Sequence, residues 1–172
     1  MMKIQWMTRN ALIASIYVVL TLTPPLNTLS FYAIQFRISE ALLIFVWFRK
    51  EYAVGILIGT FFANMFGPLG AGFAFLDAVF GTLMTFISLI MMINIRSKRL
   101  GLLAPVVFNG IYLSLFLPFA LSLPYTFEII ITTFATVSLG EAVVVYGLGL
   151  LLTWLIEKQP SLKKLVQGQV HG

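Results

Sequence analysis

The sequence predicts an all-α integral membrane protein with six transmembrane helices and both termini in the cytoplasm. Composition, the spacing of the apolar runs and the distribution of positive charge carry that prediction. Of 172 residues, 60% are hydrophobic and only 10% charged, and the mean hydropathy is +1.00, a balance foreign to soluble domains. A spanning helix takes about 20 residues, leaving room for about five to seven spans and no sizeable soluble domain. The simplest organisation is one six-helix membrane domain over residues 1–160 and a polar C-terminal tail over 161–172, set in the cell membrane.

Taken in order, the apolar segments fall at about 11–26, 38–48, 52–66, 73–95, 100–119 and 127–156. The first follows Lys3 and Arg9 but shows no small-residue cleavage pattern after Leu20, and Pro24-Pro25 reads as a turn, so it is expected to be a retained span. The second and third are short for a bilayer crossing. Their outer ends are expected to stop below the surface, leaving a hollow under the loop 27–35 and the glycine-rich loop 67–72.

Charge supplies an independent check. With the N-terminus inside, Lys3, Arg9, Arg49, Lys50, Arg96, Lys98, Arg99, Lys158, Lys163 and Lys164 all fall on the cytoplasmic side, and only Arg37 lies outside, as the bias of cytoplasmic loops toward Lys and Arg requires. The net charge of +5 is thereby dispersed over short loops. It forms no basic stripe with interleaved aromatics, so no nucleic-acid partner is implied. There is no cysteine, and the single histidine, His171, sits in the tail; disulfides, thiolate chemistry and metal centres are not expected.

Against this background the acids divide. Glu51 and Glu157 accompany basic residues and read as solvated partners. Glu40, Asp77 and Glu141, from three different segments, share one depth beneath the outer surface, with Asn64 of a fourth. Inserting three acids independently would cost on the order of 8 to 10 kcal/mol, which points to a polar cavity open to the outside. Duller roles stand beside this one. Arg37 and Glu40, three residues apart, could neutralise each other; Asp77 could cap its helix; Glu141 could bond a neighbouring helix; Asn64 could be interhelical glue. Phe31, Tyr32, Phe36, Trp47 and Tyr146 are candidate stacking faces near the hollow.

Small residues mark helix contacts: Ala11 and Ser15 on the first segment, and Gly55, Gly59 and Ala63 on the third. The third stripe fits packing within the subunit; the first fits that or an intersubunit face equally. The loop 67–72 lacks the Lys-Ser or Lys-Thr of a phosphate-binding loop, so no ATP hydrolysis and no resident cofactor are expected. Nor is there a nucleophile and base pair of the kind an enzyme needs. Two transport readings remain: a binding subunit powered by partners, or a self-sufficient carrier whose buried acids relay protons or cations.

The run Ile34-Gln35-Phe36-Arg37-Ile38-Ser39-Glu40-Ala41-Leu42, supported by residues 9–21, 59–64, Leu76-Asp77-Ala78-Val79-Phe80-Gly81 and Gly140-Glu141-Ala142-Val143, resembles QueT-type substrate-binding subunits (S components) of energy-coupling factor transporters, associated with queuosine precursors. The resemblance implies a six-helix subunit that captures a 7-deazaguanine, such as 7-aminomethyl-7-deazaguanine, from outside. Its implied partners are a transmembrane coupling protein and two cytoplasmic ATPases. It implies ligand contacts from Gln35, Arg37, Glu40, Asn64, Asp77 and Glu141, and docking on the coupling protein through Ala11 and Ser15, where serine replaces the second alanine of an Ala-xxx-Ala face.

Overall fold

The computed structural model describes residues 2–31 and 35–169, with the side chains of Met2, Lys3 and Phe31 excepted. Tyr32, Ile34 and His171 lie outside the described residues, as do the side chains of Lys3 and Phe31. Every regular element of the described part is helical: α1 (Met2–Leu22), α2 (Leu26–Phe31), a 3-10 helix (Ile38–Trp47), α3 (Tyr52–Met65), α4 (Ala71–Asn94), a short α5 (Lys98–Gly101), α6 (Leu103–Ala120), α7 (Phe127–Ala142), a π-helical segment (Val143–Gly149), α8 (Leu150–Lys158) and α9 (Pro160–Gln167).

Three helical stretches are long and apolar enough to cross a membrane: Ala71–Asn94, Lys98–Ala120 and Phe127–Lys158. Ile38–Trp47 and Tyr52–Met65 are shorter apolar helices. The polarity is inside out relative to a soluble protein. Leu103, Val107, Ile111, Leu115 and Phe119, spaced by four on α6, are all exposed, as are Phe75, Val79 and Leu83 on α4. Asn64, Asp77, Asn109 and Glu141 are buried. An apolar exterior of this extent is stable only against lipid, and this is a multi-pass membrane protein.

The 3-10 helix is the centre of the bundle. It packs against α1, α3, α4, the π segment and α8, while α1–α3, α3–α4, α4–α6 and α6–α7 pack in sequence around it. Its sequence ISEALLIFVW is apolar almost all round, and Ser39 to Ile44 and Val46 are buried; a helix with no polar face belongs in an interior. Close approach of α1 to α3 depends on Gly55 and Gly59. A Cβ on Gly55 would lie 2.5 Å from the Asn10 carbonyl oxygen, and one on Gly59 would lie 2.7 Å from Tyr17 Cβ. The small-residue stripe on the third segment is therefore a contact within the subunit. Ala11 and Ser15 are exposed on α1, and the Ser15 hydroxyl donates back to the Ala11 carbonyl (2.8 Å).

Two features of the chain are more ordered than the sequence suggests. The loop after Pro24-Pro25 contains the short α2, and the tail beyond Pro160 begins with α9. α9 starts with proline at its first turn, where the missing N–H costs nothing, and ends on Gly168 at φ +71°, a left-handed position that glycine takes without strain. The helix lies against the end of the bundle. Tyr52 Oη donates to the Val166 carbonyl (2.5 Å), Arg49 donates to the Gln167 carbonyl (3.2 Å), and a Cβ at Gly168 would collide with the guanidinium groups of Arg9 and Arg49. Cations at a helix C-terminus are favourable. Tyr52→Phe is expected to loosen α9 without unfolding the bundle, which limited proteolysis would show as faster cleavage near Gln159.

Glu51 pairs with Arg49 (3.2 Å) and Glu157 with Lys98 (2.5 Å). Both pairs are solvent-accessible and contribute little to stability. The hydrogen bonds from Arg49 hold the Glu51 carboxyl below the usual carboxylate range.

Candidate functional site

Polar side chains from six elements meet near the start of the 3-10 helix. Arg37 precedes the helix and Glu40 lies in its first turn, with Arg37 Nη1 3.9 Å from Glu40 Oε1. A 3-10 helix has three residues per turn, so residues three apart are eclipsed. That eclipsing stacks Glu40, Leu43 and Val46 in one column running into the core, with Arg37, the non-helical residue before the helix, beside Glu40 at its head.

α1 contributes Tyr17, whose hydroxyl donates to Glu40 Oε1 (2.5 Å), and Thr21, which shares a hydrogen bond with Ser39 (2.7 Å). α3 contributes Asn64, whose Nδ2 donates to the Asp77 carbonyl (3.2 Å). The Asp77 carboxylate accepts from Tyr112 Oη on α6 (2.9 Å). α4 begins at Ala71 with Gly70 as its cap, so Asp77 lies six residues inside and has no capping role. Glu141 on α7 is within hydrogen-bonding reach of Asn109 on α6. Gln35 comes to the same place through its backbone: a Cβ on Gly140 would collide with the Gln35 carbonyl, so glycine there is what lets the segment before the 3-10 helix lie against α7.

The convergence is electrostatic as well as spatial. Arg37 is close enough to act on Tyr17, Glu40, Asp77 and Glu141, and Glu40 is close enough to act on Glu141. The structure thus brings together Gln35, Arg37, Glu40, Asn64, Asp77 and Glu141. The hollow expected to be open is closed over, because Glu40, Asp77 and Glu141 expose only 1%, 3% and 4% of their surface. Three acceptor oxygens within this closed cluster, Glu40 Oε2, Asn64 Oδ1 and Glu141 Oε1, make no hydrogen bond within the protein. A buried acceptor without a donor is costly.

Ala11 and Ser15 do not belong to this cluster; they lie on the outer face of α1. Nor do Trp47 and Tyr146. Trp47 Nε1 donates to the Met92 carbonyl (3.2 Å) and Tyr146 Oη to the Arg99 carbonyl (2.7 Å), which sets both at the opposite, basic end. Trp47 closes the helix whose first turn holds Glu40, and seven residues at about 2 Å each separate them by about 14 Å.

Tyr17, Thr21, Asn109 and Tyr112 join the site without having been singled out as contacts. A usable signal existed. Tyr17 and Thr21 are spaced by four, and Asn109 and Tyr112 by three, within mainly apolar stretches, so each pair shares one helix face. Tyr17→Phe is expected to remove a donor from the buried Glu40 carboxylate and to cost about 1 to 3 kcal/mol. A lowered thermal unfolding midpoint in detergent would report it.

The arrangement is a set of carboxylates, amides, phenols and one guanidinium held in a fixed pattern, which suits recognition of a polar molecule. Residues 7–158 match the family model described as QueT transporter. The chain belongs to the QueT transporter family. Over 79 residues it is 37% identical to the queuosine precursor transporter QueT of Lactococcus lactis subsp. cremoris (strain MG1363), a match covering 46% of this chain and 44% of that relative. No solved structure matches the chain. The QueT family match runs from before Tyr17 to beyond Glu141 and so includes every residue of the polar cluster.

Proposed function

We propose that this QueT family member is the membrane-embedded substrate-binding subunit of an energy-coupling factor importer, and that its ligand is a queuosine precursor. The ligand is a 7-deazaguanine such as 7-aminomethyl-7-deazaguanine. The observation that carries this reading is the set of three buried, unpartnered acceptors at Glu40, Asn64 and Glu141. Acceptors call for donors. A guanine-like edge offers two adjacent N–H groups, which one carboxylate accepts together, and an aminomethyl group adds an ammonium for a second acid. Gln35 and Arg37 can donate to the ring carbonyl, and Tyr112 holds the Asp77 carboxylate in register. The name of the Lactococcus relative supports the ligand class.

In this reading residues 1–160 form one domain of six spans, with the 3-10 helix and α3 as the short second and third, and both termini are cytoplasmic. The grouping of Arg9, Arg49 and α9 at one end of the bundle is consistent with that topology. The exposed small residues Ala11 and Ser15 dock α1 on a transmembrane coupling protein, and two cytoplasmic ATPases supply the energy. The chain itself is no enzyme.

Titration calorimetry of the purified chain with guanine, 7-cyano-7-deazaguanine and 7-aminomethyl-7-deazaguanine tests the proposal. Tight binding of a deazaguanine by the chain alone, with uptake into vesicles only when coupling protein and ATPases are present, is the expected result. Uptake by the chain alone, driven by a proton gradient, would establish the self-sufficient carrier instead.

A further inference from the structure

A second polar site lies at the far end of the bundle from the acidic cluster. Between the end of the 3-10 helix and the end of α4 is a groove of about 390 Å³, walled by Val46, Trp47 and Met92 and rimmed by Arg49, Lys50, Arg96 and Lys98. The cations come from two separate connections, residues 49–50 and 96–98, so their meeting is a product of the fold. Trp47 is held in the wall by its bond to the Met92 carbonyl, and Lys98 Nζ stands 5.5 Å from the centre of its ring.

Charge in the groove is not balanced from within. Arg49 is paired with Glu51 and Lys98 with Glu157. Lys50 and Arg96 form no ion pair among the described residues and are exposed. Two surplus positive charges therefore face a cleft with an apolar floor. Next to it, the lipid-facing side of α4 presents Phe86, Ile90 and Met91, all exposed. A ligand that suits this step from apolar helix to basic rim carries phosphate at one end and hydrocarbon at the other. A tryptophan at that level is the usual mark of the membrane interface, and basic pockets between helices at the membrane edge accept anionic headgroups.

We infer that the groove formed by Trp47, Arg49, Lys50, Arg96 and Lys98 is a binding site for an anionic phospholipid. The two phosphodiesters of a cardiolipin-type headgroup match the two surplus cations at Lys50 and Arg96, and the acyl chains lie along α4. This inference needs the membrane setting of the protein but not the identity of its transported ligand.

Native mass spectrometry of the full chain in detergent, titrated with tetraoleoyl cardiolipin and with dioleoyl phosphatidylcholine, provides the test. Cardiolipin adducts are expected to persist at activation energies that strip phosphatidylcholine. The double variant Lys50→Gln/Arg96→Gln is expected to weaken cardiolipin retention by about tenfold or more. Lys163→Gln/Lys164→Gln removes the same charge from α9 and is expected to change nothing. Unfolding midpoints of both variants, compared with the parent, separate lost binding from lost fold. Equal retention of the two lipids overturns the inference, as does equal loss in the two double variants. It is also overturned if inorganic phosphate alone binds as tightly as cardiolipin, which would make the groove a site for a free anion.

Discussion

Glu141→Gln is expected to lower affinity for the 7-deazaguanine by about a hundredfold or more while leaving the fold intact. Glu141 is buried on α7, one residue beyond the glycine that admits the Gln35 backbone, and its Oε1 has no hydrogen-bond partner within the protein. Glutamine has the same shape but carries one acceptor and a donor where the carboxylate carries two charged acceptors. A paired, charge-assisted contact to two ligand N–H groups is worth about 3 kcal/mol, and each 1.4 kcal/mol is tenfold in affinity. The fold should survive, because glutamine keeps the shape of the side chain and the oxygen Oε1 makes no hydrogen bond within the protein. Calorimetry with the deazaguanine and a thermal melt of the same sample measure both. Glu157→Gln, at the opposite end and paired with Lys98, serves as the neutral comparison. Affinity within about threefold of the parent would remove Glu141 from the list of ligand contacts.

Gly55→Val is expected to abolish the native packing of α1 on α3. The added Cβ would sit 2.5 Å from the Asn10 carbonyl oxygen and 3.0 Å from Asn10 Cα, both main-chain atoms that cannot swing aside. The Asn10 side chain also accepts the Gly55 N–H (2.7 Å), so pushing the helices apart breaks a buried hydrogen bond as well. Overpacking costs about 1 to 3 kcal/mol and more where backbone must move. Because Tyr17 reaches Glu40 across the same α1 interface, the acidic cluster should be disturbed too. Loss of a monodisperse species on size-exclusion chromatography, with a melt many degrees below the parent, is the expected reading. Gly72→Ala is the contrast: nothing lies within 4 Å of a Cβ there, and alanine in the first turn of α4 should be neutral or stabilise by up to about 1 kcal/mol. A Gly55→Val protein as stable as the parent would mean that α1 and α3 can part without cost.

The apolar segments and the depth of the acids were legible because lipid imposes a simple rule on composition: long runs of oil with polar residues only where something receives them. Glu40, Asp77 and Glu141 come together as their shared depth suggested. The conformation of Ile38–Trp47 was not legible, since a ten-residue run that is apolar apart from Ser39 and Glu40 carries no period that separates one helix type from another. That same blindness put Trp47 beside the acids when it belongs at the other end. α9 escaped notice because its eight residues read as a charged tail; what orders it is contact with Tyr52 and Arg49, more than a hundred residues earlier. Tyr17 sits among the apolar residues 16–20 of α1, so only its spacing from Thr21 marked it.

The tight winding of Ile38–Trp47 constrains how this segment can vary. With three residues per turn, each residue added or lost swings everything beyond it by about 120°. A single deletion after Glu40 would carry Leu43 and Val46 off their column and deliver their neighbours to surfaces shaped for others, whereas removal of a whole triplet would preserve the angular register and merely shorten the rod. Length changes in this central rod should therefore be permitted only in multiples of three.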